Sequence, residues 1–328
     1  MRIATLSFVW LVAVVVLPST QSVAAWPEGI SPSHAYARVA LADQVLDRIL
    51  AKRGIESGNA ARSFETKLGP MHVYQVHQAV IRRLYEFELK NGVRPPPQVS
   101  STPIKYAPSD VMMLSSIVLE HTQKIAAKDG IEPIWTEQTF TQKTPTEVFE
   151  IIFNVFYKTN LLLGVRKISP GEVYREVQRA VADVQNILRQ LARRVPPEED
   201  HKKRLLISSV YGLHPDGSMM LPRQDGLKPK DAMQKLLDVR QVMNRIRVKF
   251  GMATVPLAQI PAEVKVTPID VILQSQIVIS EINILKKPLE IRTVTPRGIQ
   301  PETKLTPSDV QYSASHLEYM LTRLINTL

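Results

Sequence analysis

The stretch Leu305-Thr-Pro-Ser-Asp-Val310 decides the fold of this chain, because its pattern occurs eight times. A usually apolar residue is followed by a small or capping residue, proline, any residue, an acid or histidine, and then valine or alanine. The prolines of the eight copies are Pro32, Pro70, Pro108, Pro145, Pro170, Pro229, Pro268 and Pro307. A local pattern repeated this often indicates one structural unit used eight times.

Each position of the motif suits the start of a helix. Serine or threonine before the proline can cap the helix, and proline fits the first helical position because it has no N–H to lose. The acid two residues later can accept the N–H of the cap residue, and its charge suits the positive end of the helix dipole. The motif therefore predicts helix starts and is not an active-site signature.

The predicted helices also share their length and their apolar face. A glycine follows the motif proline by 22 residues in four copies, at Gly54, Gly92, Gly130 and Gly251, where it can end a helix in a left-handed conformation. Each helix should then have about 21 residues and a length of roughly 32 Å. Apolar residues recur between start and stop at spacings of four and three, as in Val310, Ala314, Leu317, Leu321 and Leu324. This seam is typical of helices packed in a bundle, so we predict an all-α protein.

The spacing of the motifs divides the chain. We predict two four-helix units at residues 26–166 and 167–328, although the interval of 59 residues between Pro170 and Pro229 is a competing place for the boundary. An insertion at about 194–226 falls in that interval. Two apolar runs, 204–211 and 218–221, flank His214-Pro-Asp-Gly217, a good turn sequence, and we expect a small β-hairpin there.

The linkers between helices are rich in proline and β-branched residues, as in residues 94–104, 253–261 and 292–299. Extended chain advances roughly 3.1 Å per residue, so a linker of about 14 residues could return to the end where the previous helix began. Consecutive helices could then be parallel, but the same linkers also fit an antiparallel bundle. Only 25 residues separate Pro145 from Pro170, so the fourth and fifth helices should form a tight antiparallel hairpin or nearly run on.

Residues 1–25 have the features of a secretory signal peptide. Arg2 precedes an apolar run from Ile3 to Leu17, and Val23-Ala24-Ala25 offers small residues for cleavage. The run is shorter than the roughly 20 residues that span a bilayer, so we expect cleavage near Ala25, a periplasmic or secreted protein of the bacterial envelope, and no membrane span in the mature chain. The chain contains no cysteine and has a formal net charge of +10. A basic surface attracts anionic partners, so we expect another envelope protein or an anionic envelope component as partner, and no nucleic acid.

The sequence contains none of the short motifs typical of nucleotide enzymes and hydrolases, and we predict no catalytic residue, cofactor or metal site. Polar residues do interrupt the apolar seam of the first half at His77, Ser115, Thr122 and Thr159. Because ligand sites in bundles form between facing helices, these four are the candidates for a ligand pocket.

Three classes of function remain open. A repeat of similar helices favours an exported, non-enzymatic scaffold or interaction protein, because stacked helices provide long surfaces for partners. The polar seam residues favour the alternative, a periplasmic ligand-binding or sensory helical module. An enzyme of unknown class is the third possibility, and the oligomeric state stays open.

Overall fold

The computed structural model describes residues 29–58, 65, 67–92, 106–136, 138–165, 167–211, 224–296, 298 and 304–328, and these residues contain helices and no strand. The predicted all-α class is therefore confirmed. Eight long helices begin at the eight motif prolines, and a 3-10 turn (Pro197–Glu199) and one short helix follow α5. The helices are α1 (Pro32–Lys52), α2 (Pro70–Lys90), α3 (Pro108–Lys128), α4 (Pro145–Leu162), α5 (Pro170–Arg194), α6 (Asp200–Val210), α7 (Pro229–Lys249), α8 (Pro268–Leu285) and α9 (Pro307–Thr327).

The predicted start and stop signals both form. In all eight long helices the acid or histidine of the motif accepts the backbone N–H of the cap residue, at 2.7–3.1 Å. The reciprocal bond, from the backbone N–H of the acid to the cap hydroxyl, is made by Thr144 and Ser169. The four predicted stop glycines have φ of 65–67°, which a residue with a side chain would adopt only with strain.

The helices form two bundles in which all four helices run in the same direction. The first turns of α1 to α4 surround one small space, lined by Pro32, Ala35, Pro70, Val73, Pro108, Val111, Pro145 and Val148. The first turns of α5, α7, α8 and α9 do the same in the second bundle. Each helix of a bundle thus begins at the same end. Of the two arrangements that the sequence left open, parallel and antiparallel, the structure has the parallel one.

Both bundles have the same order of helices around the ring. The first helix packs mainly against the third and fourth, and the second helix also packs mainly against the third and fourth. The first and second helices are therefore diagonal in the ring, as are the third and fourth, whereas the second and third are neighbours. The seam residues form successive buried layers, with Val80, Val118 and Val155 at one level of the first bundle, each fully buried.

The two bundles meet where α2 packs against α8. Gln75 of α2 donates a hydrogen bond to Gln276 of α8 at 3.2 Å. Three residues nearer the start of α2, Nε2 of His72 lies 3.5 Å from Glu281 of α8. Because the order of the partners is reversed, the bundles run in opposite directions.

Two local expectations were wrong. The apolar run at 204–211 is not a strand, since residues up to Val210 belong to α6, whose buried Leu206, Ser209 and Val210 face α5 and α9. Residues 218–221 lie outside the described part of the chain, as do the predicted signal peptide at residues 1–25 and the linker 94–104. The tight hairpin, one of the two alternatives for α4 and α5, does not form either, because α4 packs in the first bundle and α5 in the second. The connection between them is short, as the other alternative requires, with residues 163–169 between the two helices.

Helix α8 is the most apolar of the long helices, and its neighbours explain why. It contacts α5 and α7 in its own bundle and α2 in the other, so it has almost no face left for water, and a helix buried on all sides is apolar all round. Within the described residues it is the one helix long and apolar enough to cross a membrane, and 78% of it is buried inside the protein.

Candidate functional site

Two of the four predicted pocket residues, His77 and Ser115, meet in the core of the first bundle. Nε2 of His77 lies 2.8 Å from the Ser115 hydroxyl, and Nδ1 lies 2.8 Å from the carbonyl oxygen of Val73. Because the carbonyl can only accept, Nδ1 carries the proton in the neutral ring and Nε2 is an acceptor. The single proton of the Ser115 hydroxyl is then shared between two acceptors, Nε2 of His77 and the carbonyl oxygen of Val111 at 2.9 Å. Burial lowers the pKa of His77 to about 4 although the bond to Val73 opposes this, so the ring is neutral at pH 7.

The other two, Thr122 and Thr159, lie at one level further along the same bundle. Each hydroxyl donates to a carbonyl of its own helix, that of Leu119 or that of Val155, a common way to satisfy a buried threonine. All four predicted residues are completely buried and hydrogen bonded, and none of them lines the cleft between the two bundles described below. Ligand binding by these residues stays a prediction.

The described part of the chain contains no group of three histidine, aspartate or glutamate side chains that could hold a metal ion. The histidines have other partners. His34 and His72 act as caps through Nδ1, and Nδ1 of His121 lies 2.8 Å from Glu88 in the core.

A cleft of about 460 Å³ lies between the two bundles. One wall is α2, from Tyr74 to Leu89, and the opposite wall is the first half of α5 with the segment after α8. That segment is fixed to α5, because Thr295 donates to Asp183 at 2.7 Å and Nε of Arg179 donates to the carbonyl of Pro296 at 3.1 Å. The volume is in the range of small-molecule sites, about 300–1,000 Å³.

The floor of the cleft carries an excess of positive charge. Arg82 of α2 faces Arg175 and Arg179 of α5, and the carboxylate among them is Glu176. Burial would raise the pKa of Glu176, but Arg179, Arg82 and Arg175 together lower it to about 2. We call these four residues the arginine cluster; its formal charge is three positive against one negative.

Arg82 is the least satisfied member of the arginine cluster. Its side chain is half-buried, and its buried Nη2 atom has no hydrogen-bond partner within the described residues. Burial, with the repulsion of Arg179, Arg83 and Arg175, lowers the pKa of Arg82 to about 9 in spite of Glu176. The group is still charged at pH 7, so a buried positive charge faces the cleft without a full set of partners.

The neighbouring arginines differ from Arg82 because each has acidic or carbonyl partners. Arg83 pairs with Glu86 at 3.2 Å and with Glu172 at 3.4 Å. Arg179 bonds both Glu176 and the carbonyl of Pro296. An anion entering the cleft would therefore find Arg82 as the donor with unused capacity.

A buried chain of hydrogen bonds positions the carboxylate of the arginine cluster. Gln75 of α2 donates to Gln276 of α8, and Gln276 donates to Glu176 of α5 at 2.8 Å. The chain crosses from one bundle to the other, so the packing of α2 on α8 and the charge in the cleft depend on each other.

A second buried charge network holds the bundles together beyond the cleft. Arg240 of α7 is fully buried, donates to Glu281 of α8 at 2.9 Å, and also pairs with Glu65 ahead of α2. Removing one partner of such a buried pair typically costs about 3–5 kcal/mol. This network supports the interface, while the arginine cluster has capacity left for a ligand.

Sequence reasoning missed the arginine cluster because its members lie off the apolar seam. Arg82 and Arg175 occupy positions that a single bundle would expose to water, and each is covered only because the other bundle packs against its own. The adjacent pair Arg82-Arg83 was the one sequence feature that could have indicated the cluster. A basic pair on the polar face of a helix is ordinarily exposed to water, however, and does not by itself predict a binding site. No known protein-family model, curated protein or solved structure matches this chain.

Proposed function

We propose that this protein is an exported, non-enzymatic binding protein that takes an anionic ligand into the cleft between its two bundles. The observation that carries the proposal is the arginine cluster, in which three buried or half-buried guanidinium groups share the carboxylate of Glu176. This develops the ligand-binding alternative from the sequence and moves the site from the seam of the first bundle to the cleft. It also fits the expectation of an anionic envelope component as partner.

The physical case rests on relief of like-charge repulsion. Arginine recognises carboxylate and phosphate through paired N–H donors. A bound anion would satisfy Nη2 of Arg82 and offset its repulsion by Arg179 and Arg175. Binding of an anion would then lower the unfavourable electrostatic free energy of the neighbouring arginines. A neutral molecule of the same shape would not, so the cleft should prefer the anion.

A scaffold role was the first expectation, and it has less support from the geometry. Stacked repeats offer long open surfaces when each unit contacts only its neighbours along a line. Here each set of four helices closes into a ring, so the repeat buries its apolar faces within the chain. Partner binding, export and the absence of enzymatic activity stay predictions.

Titration with inorganic phosphate tests the proposal. We expect phosphate to raise the melting temperature of the purified protein by several degrees above the effect of potassium chloride at equal ionic strength, since a ligand that binds the folded state stabilises it. Arg82→Gln should abolish this shift. The variant should itself melt at the same temperature as the wild type or higher, because it removes a half-buried charge that has an unsatisfied donor and is repelled by three other arginines.

Arg48→Gln is the matched control, because Arg48 is exposed on α1, a helix that does not line the cleft. This variant should respond to phosphate like the wild type. Equal phosphate shifts in the wild type and in Arg82→Gln would refute the proposal, and so would a shift that potassium chloride reproduces at the same ionic strength.

A further inference from the structure

The walls of the cleft beside the arginine cluster are mainly apolar. Tyr74 and Tyr106 pack edge to face with their ring centroids 5.4 Å apart, and Leu114 and Phe156 of the first bundle also line the cleft. Tyr74, Leu114 and Phe156 are each no more than 3% exposed. These surfaces provide dispersion and hydrophobic contact but no charge, so they suit an apolar group.

Two large apolar residues at the ends of the cleft remain open to water. Leu89 is 57% exposed and Val294 is 63% exposed, although both line the cleft. Leu89 lies two turns of α2 beyond Arg82, whereas Val294 is next to Thr295, which is anchored to Asp183 of α5. An apolar group bound in the cleft could cover either side chain and remove apolar surface from water.

The arginine cluster occupies only part of the length of the cleft. Along α2 the wall runs from Tyr74 to Leu89, which is roughly 22 Å at 1.5 Å per residue. Arg82 lies near the middle of this distance. A small inorganic anion at Arg82 would leave most of the apolar wall uncovered in both directions.

We infer that the ligand is an amphiphile, with one carboxylate or phosphate head group held by the arginine cluster and an acyl or aromatic body lying along the apolar wall. This inference rests on the proposed function and adds the chemical class of the ligand. The Tyr74, Leu114 and Phe156 side of the cleft covers the body, and Val294 adds an exposed apolar contact.

A series of alkyl phosphates tests the inference. Inorganic, butyl, hexyl and octyl phosphate are titrated by isothermal calorimetry below their micellar concentrations, beside the carboxylates acetate, hexanoate and nonanoate. Burial of one methylene group strengthens binding by up to about fourfold. We expect at least one series to gain about two- to fourfold for each added methylene until the apolar wall is covered.

Two matched variants locate the apolar body. Val294→Asn should weaken octyl phosphate several-fold and leave inorganic phosphate unchanged. Val248→Asn is the control, because Val248 of α7 is 62% exposed, almost the same as Val294, and does not line the cleft. It should change neither affinity, whereas Arg82→Gln should weaken both ligands.

The outcomes separate the two proposals. Inorganic phosphate that binds as tightly as octyl phosphate would overturn the amphiphile and leave the anion site intact. Loss of all binding by both series would overturn the anion site itself. Octyl glucoside, which is uncharged, should not bind; equal affinity for it would overturn both.

Vesicles of phosphatidylglycerol distinguish a lipid source from a free amphiphile. Transfer of about one lipid to each protein molecule would support a lipid ligand of the proposed class. Adsorption to the vesicle surface, unchanged by Arg82→Gln and without any transfer, combined with no binding of the soluble amphiphiles, would contradict the inference.

Discussion

At the scale of single residues, His34 and His72 do the same work in different surroundings. Both replace the acid of the motif, and Nδ1 of each accepts the N–H of the cap residue, at 3.1 Å and 3.0 Å. His34 is exposed, whereas His72 is 1% exposed and lies 3.5 Å from Glu281. One motif position is thus a surface cap in the first repeat and an interface group in the second.

Aspartate at these two positions should have opposite effects. His34→Asp restores the acid that most copies carry and should stabilise the protein by about 0.5 kcal/mol through the helix dipole. His72→Asp places a second buried carboxylate beside Glu281 and should destabilise it by about 3 kcal/mol. Chemical denaturation of both variants measures the difference, and effects of the same sign would contradict the assignment.

His77 should make stability depend on pH. Its pKa in the folded protein is about 4, well below the value of about 6.5 for an unfolded chain. The folded state therefore binds fewer protons between these values, so its stability is complete above pH 6.5 and falls as the pH decreases toward 4, by about 3 kcal/mol.

His77→Leu should remove this part of the pH dependence in denaturation curves recorded from pH 4 to 7. At pH 7 it should be neutral or stabilising, since the Ser115 hydroxyl can still donate to the carbonyl oxygen of Val111. A pH dependence unchanged by the substitution would exclude His77 as its source.

At the scale of elements, most of the fold was predictable because its signals are local. A capping box, a proline at the first position and a stop glycine act within one helix, so all eight starts could be identified from the sequence. The run 204–211 failed because short apolar segments fit strand and helix alike. The segment forms a helix because Leu206 and Val210 then lie on one face and are buried against α5 and α9.

The arrangement between elements could not be predicted in the same way. The direction of the helices depends on how the linkers run, and the cleft depends on which faces of two bundles meet. Arg82 and Arg175 therefore appeared as solvated residues, although the polar seam residues His77 and Ser115 were correctly placed on an inward face.

The segment after α8 has no tolerance for a side chain at Gly298. A Cβ atom there would lie 2.3 Å from Cγ and 2.8 Å from the carbonyl oxygen of Arg175. Gly298→Ala should displace the segment or Arg175, lower stability by about 1–2 kcal/mol, and weaken phosphate binding in the titration described above. Gly58→Ala is the control, because its nearest neighbour is the Tyr157 hydroxyl at 3.4 Å. Unchanged phosphate affinity in Gly298→Ala would show that this wall does not shape the site.

At the scale of the whole molecule, each bundle has a closed core, and the interface adds buried polar contacts. Residues 26–166 and 167–328, expressed separately, should each give a helical circular-dichroism spectrum and a cooperative melt. Both should melt below the full-length protein, because separation exposes Gln75 and Glu281 and the face of α8 that packs on α2. The second half should also self-associate through that face, which analytical ultracentrifugation would detect. Failure of both halves to melt cooperatively would mean that the eight helices form one domain.

The parallel arrangement within each bundle also has a consequence for how the chain folds. All four helices of the first bundle are parallel, so consecutive helices such as α2 and α3 cannot pair as a local helical hairpin. α1 packs against α3 and α4, and its start at Pro32 is more than 70 residues from that of α3 at Pro108. Proteins dominated by such distant contacts fold slowly. An incomplete chain would expose the apolar seams of α1 and α2 until α3 had followed, so we expect refolding to be faster and more complete in the presence of a chaperone that holds unfolded chains.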